Sequence, residues 1–274
     1  MKTLVLGGNG KTGRRVVQRL TDLGLPVRIG SRSNKPAFDW DNKGNWKEVL
    51  HEISQVYITF QPDLSIPGSV EAIQAFVNAA AKSGVKKLVL LSGRGEPEAQ
   101  LCEQIVIASG MEWTVVRASW FNQNFSEGYL LDSVQAGYVA LPAGDIGEPF
   151  IDTDDIADVV VAALTDDIHN GKIYEVTGPR LLTFKQAIAE IAAASGREIV
   201  FQEVSIEEYT SMLTTYEIPQ DIIDFLSYLF TEVMDGRNES ISHGVEEALG
   251  RKPTDFSEFA QRAAVAGIWE ALEA

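Results

Sequence analysis

Short apolar runs alternate along the first 120 residues with segments whose apolar side chains recur at helical spacing. The runs predict buried strands over Thr3–Leu6, Leu25–Gly30, Ala37–Trp40, Gln55–Phe60, Lys87–Leu91 and Trp113–Arg117. The segments between them predict amphipathic helices, several of which end at a glycine. Because strand and helix alternate, the pattern predicts an α/β fold with a doubly wound parallel sheet.

A glycine-rich turn joins the first predicted strand to the first predicted helix. Residues Gly7–Gly13 fit the spacing G-x-x-G-x-x-G, and from Gly8 they fit G-x-G-x-x-G. Small residues let the backbone approach a pyrophosphate, which the helix N-terminus attracts. The tail of an ATP-binding P-loop is also present, but Val5 stands where that loop needs its first glycine. The turn therefore predicts dinucleotide contacts from Gly7, Asn9, Gly10, Lys11, Thr12 and Gly13.

The pattern continues beyond residue 120 with further sheet elements and then with helices. It predicts a strand over Ile173–Val176, a helix over Thr183–Ser195, a strand over Glu198–Glu203, and two or three helices from Ser205 onward. Ser69 is a candidate helix N-cap. Residues Pro149–Asp158 resemble a strand that enters a helix, with Thr153 or one of its neighbours as the N-cap. We therefore predict an NAD(P)-binding Rossmann domain over residues 1–150. Residues 151–274 are expected to supply the remaining sheet elements and a smaller, mostly helical substrate-binding or lid lobe.

Charge is distributed unevenly along the 274 residues, whose formal net charge is −16. Residues 1–150 hold 15 basic and 15 acidic side chains, whereas residues 151–274 hold 8 basic and 24 acidic ones. Such a negative field repels phosphate backbones, so we expect no nucleic-acid partner. No apolar run approaches the roughly 20 residues of a membrane span, and the N-terminus is a strand rather than a signal peptide. We expect no membrane partner and a cytoplasmic location.

The residues that follow the second predicted strand bear on the choice of dinucleotide. An acid at this place would bond the ribose 2′-hydroxyl of NAD, but Ser31 and Arg32 stand there. An arginine can pair with a 2′-phosphate and stack near adenine, which favours NADP(H). The alternative is a solvated turn arginine with no ligand.

Two kinds of catalytic site are not encoded by the sequence. The single cysteine, Cys102, and the three scattered histidines lack metal-ligand spacing, so we expect no metal. None of the seven tyrosines has a lysine four residues later, so the Tyr-x-x-x-Lys acid of conventional short-chain dehydrogenases is absent. Hydride delivery to an iminium ion, a cationic dye or a quinone needs no proton at the accepting atom, which favours such acceptors. The sequence assigns no catalytic side chain.

The glycine turn, Ser31-Arg32-Ser33, Phe38-Asp39-Trp40, Leu90–Gly93, Trp113–Arg117 and Trp120–Phe125 together resemble the NmrA-like branch of atypical short-chain dehydrogenases. Within this branch the chain looks most like bacterial relatives of the ergot-alkaloid-pathway reductases, of the festuclavine and agroclavine dehydrogenase type. It is less similar to triphenylmethane reductase and the NADPH quinone reductases. The resemblance covers almost the whole chain and is specific for fold and dinucleotide binding, not for the reaction.

The resemblance implies an NADP(H)-binding Rossmann domain with a small C-terminal substrate lobe and hydride transfer to an imine, quinone or dye. It adds four residues at the ends of two predicted strands to the expected cofactor contacts. These residues are Phe60, Gln61, Ser92 and Gly93. The same branch contains redox sensors that bind the dinucleotide and regulate a partner without turnover. A non-catalytic sensor is therefore the alternative function.

A small electrophile is the expected substrate. The segment Trp120–Phe125 crowds aromatic and amide side chains directly after a strand end, as a pocket wall does, although aromatic residues more often belong to a core. We expect the substrate to contact Arg94, Trp120, Phe121, Asn122 and Phe125, in a protein that is a monomer or a homodimer.

Overall fold

The computed structural model describes residues 1–270, which form two compact units. The sheet unit comprises Met1–Ala118, Thr153–Val176 and His243–Lys252, and the helical unit comprises Ser119–Asp152, Thr177–Ser242 and residues 253–270. The predicted boundary at residue 150 does not separate these units, because Ser119–Asp152 already belongs to the helical unit and two later segments return to the sheet unit. The last four residues of the predicted second domain, 271–274, lie outside the described residues.

The strands of the sheet unit are β1 (Thr3–Leu6), β2 (Val27–Gly30), β3 (Gln55–Ile58), β4 (Lys87–Gly93), β5 (Glu112–Ala118) and β7 (Lys172–Val176). They form one parallel sheet in the order β2-β1-β3-β4-β5-β7. All side chains of β1 and β3 are buried, which explains their continuous apolar runs. The predicted fold class, a doubly wound parallel sheet, is confirmed.

Helices accompany this sheet: α1 (Lys11–Asp22), α2 (Trp46–Val49), α3 (Ser69–Lys82), α4 (Pro97–Ile107), α7 (Thr153–Thr165) and α11 (Gly244–Leu249). Helix α3 buries Ile73, Phe76 and Ala80, as its periodicity predicts. Helices α1 and α7 are joined by Arg19, whose guanidinium lies 2.8 Å from Asp154 Oδ1 and 2.5 Å from Asp158 Oδ1. No helix within residues 1–270 is long and apolar enough to cross a membrane.

The helical unit is built from α5 (Asn124–Glu127), α6 (Leu131–Ala136), β6 (Tyr138–Leu141), α8 (Phe184–Ser195), β8 (Val200–Glu203), α9 (Ile206–Thr215), α10 (Gln220–Tyr228) and α12 (Phe256–Val265). Strands β6 and β8 pair in parallel. Rings of Phe125, Phe150, Phe184 and Phe256 meet in its core, with centroids 5.0–5.8 Å apart. Thr183 caps α8 in a capping box with Gln186, which fixes the start of that helix.

The predicted strand over Ala37–Trp40 is wrong. The backbone of this segment is satisfied locally: Phe38 N donates to Ser31 O at 2.9 Å, and the Trp46 indole donates to Asp39 O at 2.9 Å. Pro36 precedes it and has no N–H for a ladder. Phe38 and Trp40 instead pack their rings together, with centroids 5.0 Å apart.

Three further local predictions need correction. Ser69 is the first residue of α3 rather than its N-cap, because its hydroxyl donates to Leu64 O at 2.5 Å and Gly68 takes the capping position. The predicted strand before Thr153 is only an isolated bridge between Ile151 and Phe121. From Ser205 the described residues hold four α-helices rather than two or three, since Pro219 begins a new helix after α9.

The entry into α1 depends on a close contact between two glycines. An ideal Cβ built at Gly13 would overlap the carbonyl oxygen of Gly7 and lie 2.7 Å from its carbonyl carbon and 2.9 Å from Gly8 Cα. All three are backbone atoms, which cannot rotate away as a side chain does. Only glycine lets α1 pack this closely against the turn.

Replacing Gly13 by alanine is expected to lower the free energy of unfolding by about 1–3 kcal/mol, the usual cost of overfilling a packed interior. Chemical denaturation monitored by circular dichroism measures it. The matched control is Gly44→Ala, because a Cβ at Gly44 would meet only the movable Asn42 side chain, at 3.3 Å. The control should change stability by less than about 0.5 kcal/mol. Equal effects of the two substitutions would contradict the close-contact explanation.

Candidate functional site

The glycine turn opens at the carboxyl end of β1. Gly7 has φ +60°, a left-handed conformation that favours glycine, and a Cβ there would overlap Thr59 Oγ1. Gly10 N donates to Gly7 O at 2.8 Å, and Gly10 is the N-cap residue of α1. The turn is therefore a backbone cradle without side chains at Gly7, Gly10 and Gly13, beside a helix N-terminus. This cradle fits a pyrophosphate, because Gly7 and Gly13 carry no side chain that would displace the backbone that forms it.

Asn9 connects the glycine turn to the loop after β2. Its amide nitrogen lies 3.0 Å from Ser31 Oγ, 3.3 Å from Ser33 Oγ and 3.3 Å from Asn34 Oδ1. Ser31 Oγ also bonds Asn34 Oδ1. These contacts position the intervening Arg32 at the edge of the cradle.

Arg32 itself is exposed, and its side chain makes no hydrogen bond or ion pair with any residue among 1–270. Its guanidinium is thus able to accept an anionic ligand without first breaking an internal ion pair. No acidic residue occupies positions 31–34.

Thr12 and Lys11 begin α1 and serve it locally. The Thr12 hydroxyl accepts a hydrogen bond from the buried Tyr57 hydroxyl at 3.0 Å, and Lys11 O accepts one from Arg15 Nη1 at 2.8 Å. Burial raises the pKa of Tyr57 well above its usual value. Tyr57 therefore stays a neutral hydroxyl that joins β3 to α1.

The residues that end β3 and β4 differ in exposure. Gln61 is exposed, and Phe60 is half-buried against the Trp40 ring, with centroids 4.8 Å apart. Ser92 is buried, and its hydroxyl donates to Glu103 Oε1 at 2.6 Å. Gly93 lies directly under the carboxyl group of Glu96, which a Cβ at this position would overlap.

Side chains of alternating charge lie along the carboxyl ends of β4, β5 and β7. Ser92 joins them through its hydrogen bond to Glu103. The Arg117 guanidinium bonds both oxygens of Glu103 at 2.9 and 2.5 Å and lies 3.4 Å from Glu175 Oε2. Arg94 Nε bonds Glu175 Oε1 at 2.7 Å. The hydrogen bonds that Arg117 donates to Glu103 are the main reason that the pKa of Arg117 is raised. Two carboxylates and two guanidiniums thus neutralise each other at this edge.

Arg94, a predicted substrate residue, belongs to this network. Its side chain is only 8% exposed, and the bond to Glu175 fixes its guanidinium. The structure therefore supplies a positioning partner that sequence reasoning missed.

The other predicted substrate residues lie in the helical unit. Trp120 is half-buried and packs against Phe184 and Phe230, with centroids 5.3 and 5.4 Å away. Phe121 is half-buried, whereas Phe125 is fully buried in the aromatic core described above. Asn122 is also fully buried, yet neither polar atom of its amide has a hydrogen-bond partner. An orphaned buried amide is costly, so the Asn122 amide differs from the rest of this set in having polar atoms whose hydrogen bonds are unmade.

Sequence reasoning missed several residues of this edge. Thr59, Asp63, Glu96, Glu103 and Arg117 were not predicted as site residues, although Arg117 ends one of the segments that carry the family resemblance. Within residues 1–270 no group of three or more His, Cys, Asp or Glu side chains is placed to hold a metal ion.

Comparison with known families identifies two overlapping matches. The NAD(P)H-binding profile matches residues 7–167, and the NmrA-like family profile matches residues 97–260. Each covers more than half of the chain.

Curated relatives match the chain nearly end to end. An uncharacterized oxidoreductase of Bacillus subtilis is 30% identical over 97% of this chain and 96% of its own length. Agroclavine dehydrogenase of Claviceps fusiformis is 29% identical over 95% of this chain and 96% of its length. An NAD(P)H azoreductase of Xenophilus azovorans is 28% identical over 96% of this chain and 98% of its own length.

A solved structure of similar fold is the NADPH complex of a quinone oxidoreductase from Escherichia coli. It superposes with a TM-score of 0.79 at 19% identity, over 95% of this chain and 99% of the other. Taken with the family matches, these findings mean that the chain belongs to the NmrA-like family and is an NAD(P)H-binding oxidoreductase of the reductase type.

Proposed function

We propose that this protein is an NADP(H)-dependent reductase that transfers hydride to an iminium ion, a quinone or a similar electrophile. The observation that carries the proposal is the glycine cradle with the unpaired Arg32 at its edge. When bound, the dinucleotide supplies the hydride. The protein's own residues bind the dinucleotide, orient it and keep water from the reacting atoms.

The preference for a 2′-phosphate rests on Arg32 and on the residues around it. Ser31 and Asn34 bond each other and Asn9, which holds the loop in one conformation. The guanidinium projects from this loop without an internal partner, so it is available for a bidentate contact with phosphate. The quinone oxidoreductase of the same fold also binds NADPH, which agrees with this preference.

The acceptor class rests on the tyrosines. Burial raises the pKa of Tyr57, and it raises the pKa of Tyr209 to about 12. The pKa of Tyr174 is also raised, mainly by desolvation, and its hydroxyl lies 2.7 Å from His169 Nδ1. A tyrosine that protonates an alkoxide beside a lysine requires the opposite shift. These tyrosines are therefore unsuited to the acid role of a conventional ketone reductase, which favours acceptors of other classes, in keeping with relatives named azoreductase and agroclavine dehydrogenase.

Substrate contacts by Arg94, Trp120, Phe121, Asn122 and Phe125 are part of the proposal. The orphaned amide of Asn122 supports a hydrogen bond to a polar atom of the substrate. Phe125 has ring neighbours on several sides and supports the site by packing.

Replacing Arg32 by alanine is expected to weaken NADPH binding by about 10- to 100-fold, the value of one charged hydrogen-bonding contact. NADH binding should change less than threefold, since NADH has no 2′-phosphate for Arg32 to contact. Isothermal titration calorimetry with NADPH, NADP⁺, NADH and NAD⁺ measures both. Lys47→Ala removes an equal charge from an exposed site in the same unit and serves as the control. Equal weakening by the two variants would show a general charge effect instead of a 2′-phosphate contact.

A panel of iminium compounds, quinones, and azo and triarylmethyl dyes is expected to contain acceptors that oxidise NADPH in the presence of the protein. Turnover should be lost in Gly13→Val, because its side chain would collide with the backbone of the turn. NADPH oxidation followed by absorbance, with product identified by mass spectrometry, measures turnover. Tight binding of dinucleotide with no turnover of any acceptor, and unequal affinity for its two redox states, would instead favour a sensor.

A further inference from the structure

Two carboxyl groups meet at the edge of the sheet where β3 and β4 end. Asp63 lies in the loop after β3, and its Oδ1 accepts a hydrogen bond from Ser65 N at 2.8 Å. Glu96 lies just after β4, and its carboxyl group is within hydrogen-bond reach of the Asp63 carboxyl. Ligands of open parallel sheets bind at this carboxyl edge. The pair therefore stands on the same edge of the sheet unit as the glycine turn.

Glu96 has an unusual environment for an acid at the start of a helix. It occupies the N-cap position of α4, yet its side chain makes no capping hydrogen bond. The carboxyl group instead lies over the Cα of Gly93, and the residue is only 7% exposed. Its Oε2 is buried without a hydrogen-bond partner. Glu96 is thus a buried acid with one unused oxygen, held against the end of β4.

A hydrogen bond between two carboxyl groups requires that one of them carries a proton. Desolvation is the main reason that the pKa of Glu96 is raised well above its usual value, followed by the negative charge of Asp63. Glu98 and Glu103 act in the same direction, and Arg117 already neutralises Glu103. Asp63 is half-buried, whereas Glu96 is buried. Because Glu96 is the more buried of the two and its Oε2 accepts no hydrogen bond, the protonated form is favoured on Glu96 rather than on Asp63.

We propose that Glu96 is the catalytic proton donor for acceptors whose oxygen or nitrogen becomes anionic on reduction, and that Asp63 returns the proton from water. The inference rests on the proposed reductase function and deepens it. It supplies an acid that the sequence lacks at the usual tyrosine.

A C–H bond of the dinucleotide that the proposed function requires breaks, and its hydride adds to the acceptor with both electrons of that bond, which leaves negative charge on an oxygen or nitrogen of the acceptor. The O–H bond of Glu96 breaks, and the proton forms a new bond to the acceptor heteroatom. Glu96 is left as a carboxylate, which takes a proton from water through Asp63. A cationic iminium ion or triarylmethyl dye becomes neutral when it accepts hydride, so it needs no proton from Glu96.

The decisive variant is Glu96→Gln, which keeps the shape of the side chain but carries no acidic proton. We expect kcat for a neutral quinone to fall by about 100-fold or more, as when a general acid is lost. The kcat for a triarylmethyl dye should stay within about threefold of wild type, since general-acid catalysis contributes nothing to that acceptor. The affinity for NADPH should be unchanged. Glu71→Gln, which neutralises an exposed acid in the first turn of α3, is the control and should leave both rates unchanged.

Infrared difference spectroscopy reads the proton directly, without turnover. The wild type minus Glu96→Gln spectrum at pH 7 should contain the C=O band of a protonated carboxylic acid, and the wild type minus Glu71→Gln spectrum should contain only carboxylate bands. A wild type minus Glu96→Gln spectrum that contains carboxylate bands but no C=O band of a protonated acid would overturn the proposal.

Asp63→Asn is the second variant and keeps Glu96 in place. Removing the negative charge of Asp63 lowers the pKa of Glu96, so the decline of quinone reduction with rising pH should move to lower pH. An unmoved decline, or equal losses for the quinone and the dye in Glu96→Gln, would contradict the donor role. If no acceptor is reduced, the reductase function fails and the donor role with it, whereas an intact panel with an unaffected Glu96→Gln variant overturns the donor role alone.

Discussion

The close contact of Gly13 with the carbonyl group of Gly7 is the constraint on which the site depends. It lets α1 begin immediately after β1, so that the helix N-terminus opens at the carboxyl end of the central strands. Asn9 then holds the loop after β2 against this turn. One backbone contact therefore sets both the cradle for an anion and the position of Arg32 beside it.

Burial of charge is the second organising feature of this edge. Glu103, Arg117, Glu175 and Arg94 form an alternating chain in which each charge has a partner of opposite sign. Removal of one member would leave a buried charge uncompensated, which costs far more than the pair contributes. Desolvation, followed by the charge of Asp63, raises the pKa of Glu96, and Glu103 of this chain acts in the same direction. The burial that makes pairing of the other four charges favourable thus also disfavours the charged form of Glu96.

Most strands and long helices of the sheet unit were predictable because their signals are local. Continuous apolar runs mark strands buried on both faces, and stripes of apolar residues mark the helices that cover them. The segment Ala37–Trp40 misled this reasoning. Its aromatic residues are typical of a strand, but Phe38 N and Asp39 O bond Ser31 and Trp46 instead of a neighbouring strand. These hydrogen bonds depend on Ser31 and Trp46, which lie outside the segment whose hydrophobic pattern predicted the strand.

The sequence by itself determined the sheet class, the glycine turn and the position of Arg32, because each depends on spacing within one short segment. It also established that no tyrosine is followed by the lysine of the usual acid. Only the tertiary structure decided that the carboxyl group of Glu96 covers Gly93 and that Asp63 lies near this carboxyl group. It also decided that Glu175 holds Arg94. These contacts join residues from separate strand ends, 33 positions apart for Asp63 and Glu96. Burial and proximity give their side chains a chemistry that no local pattern encodes.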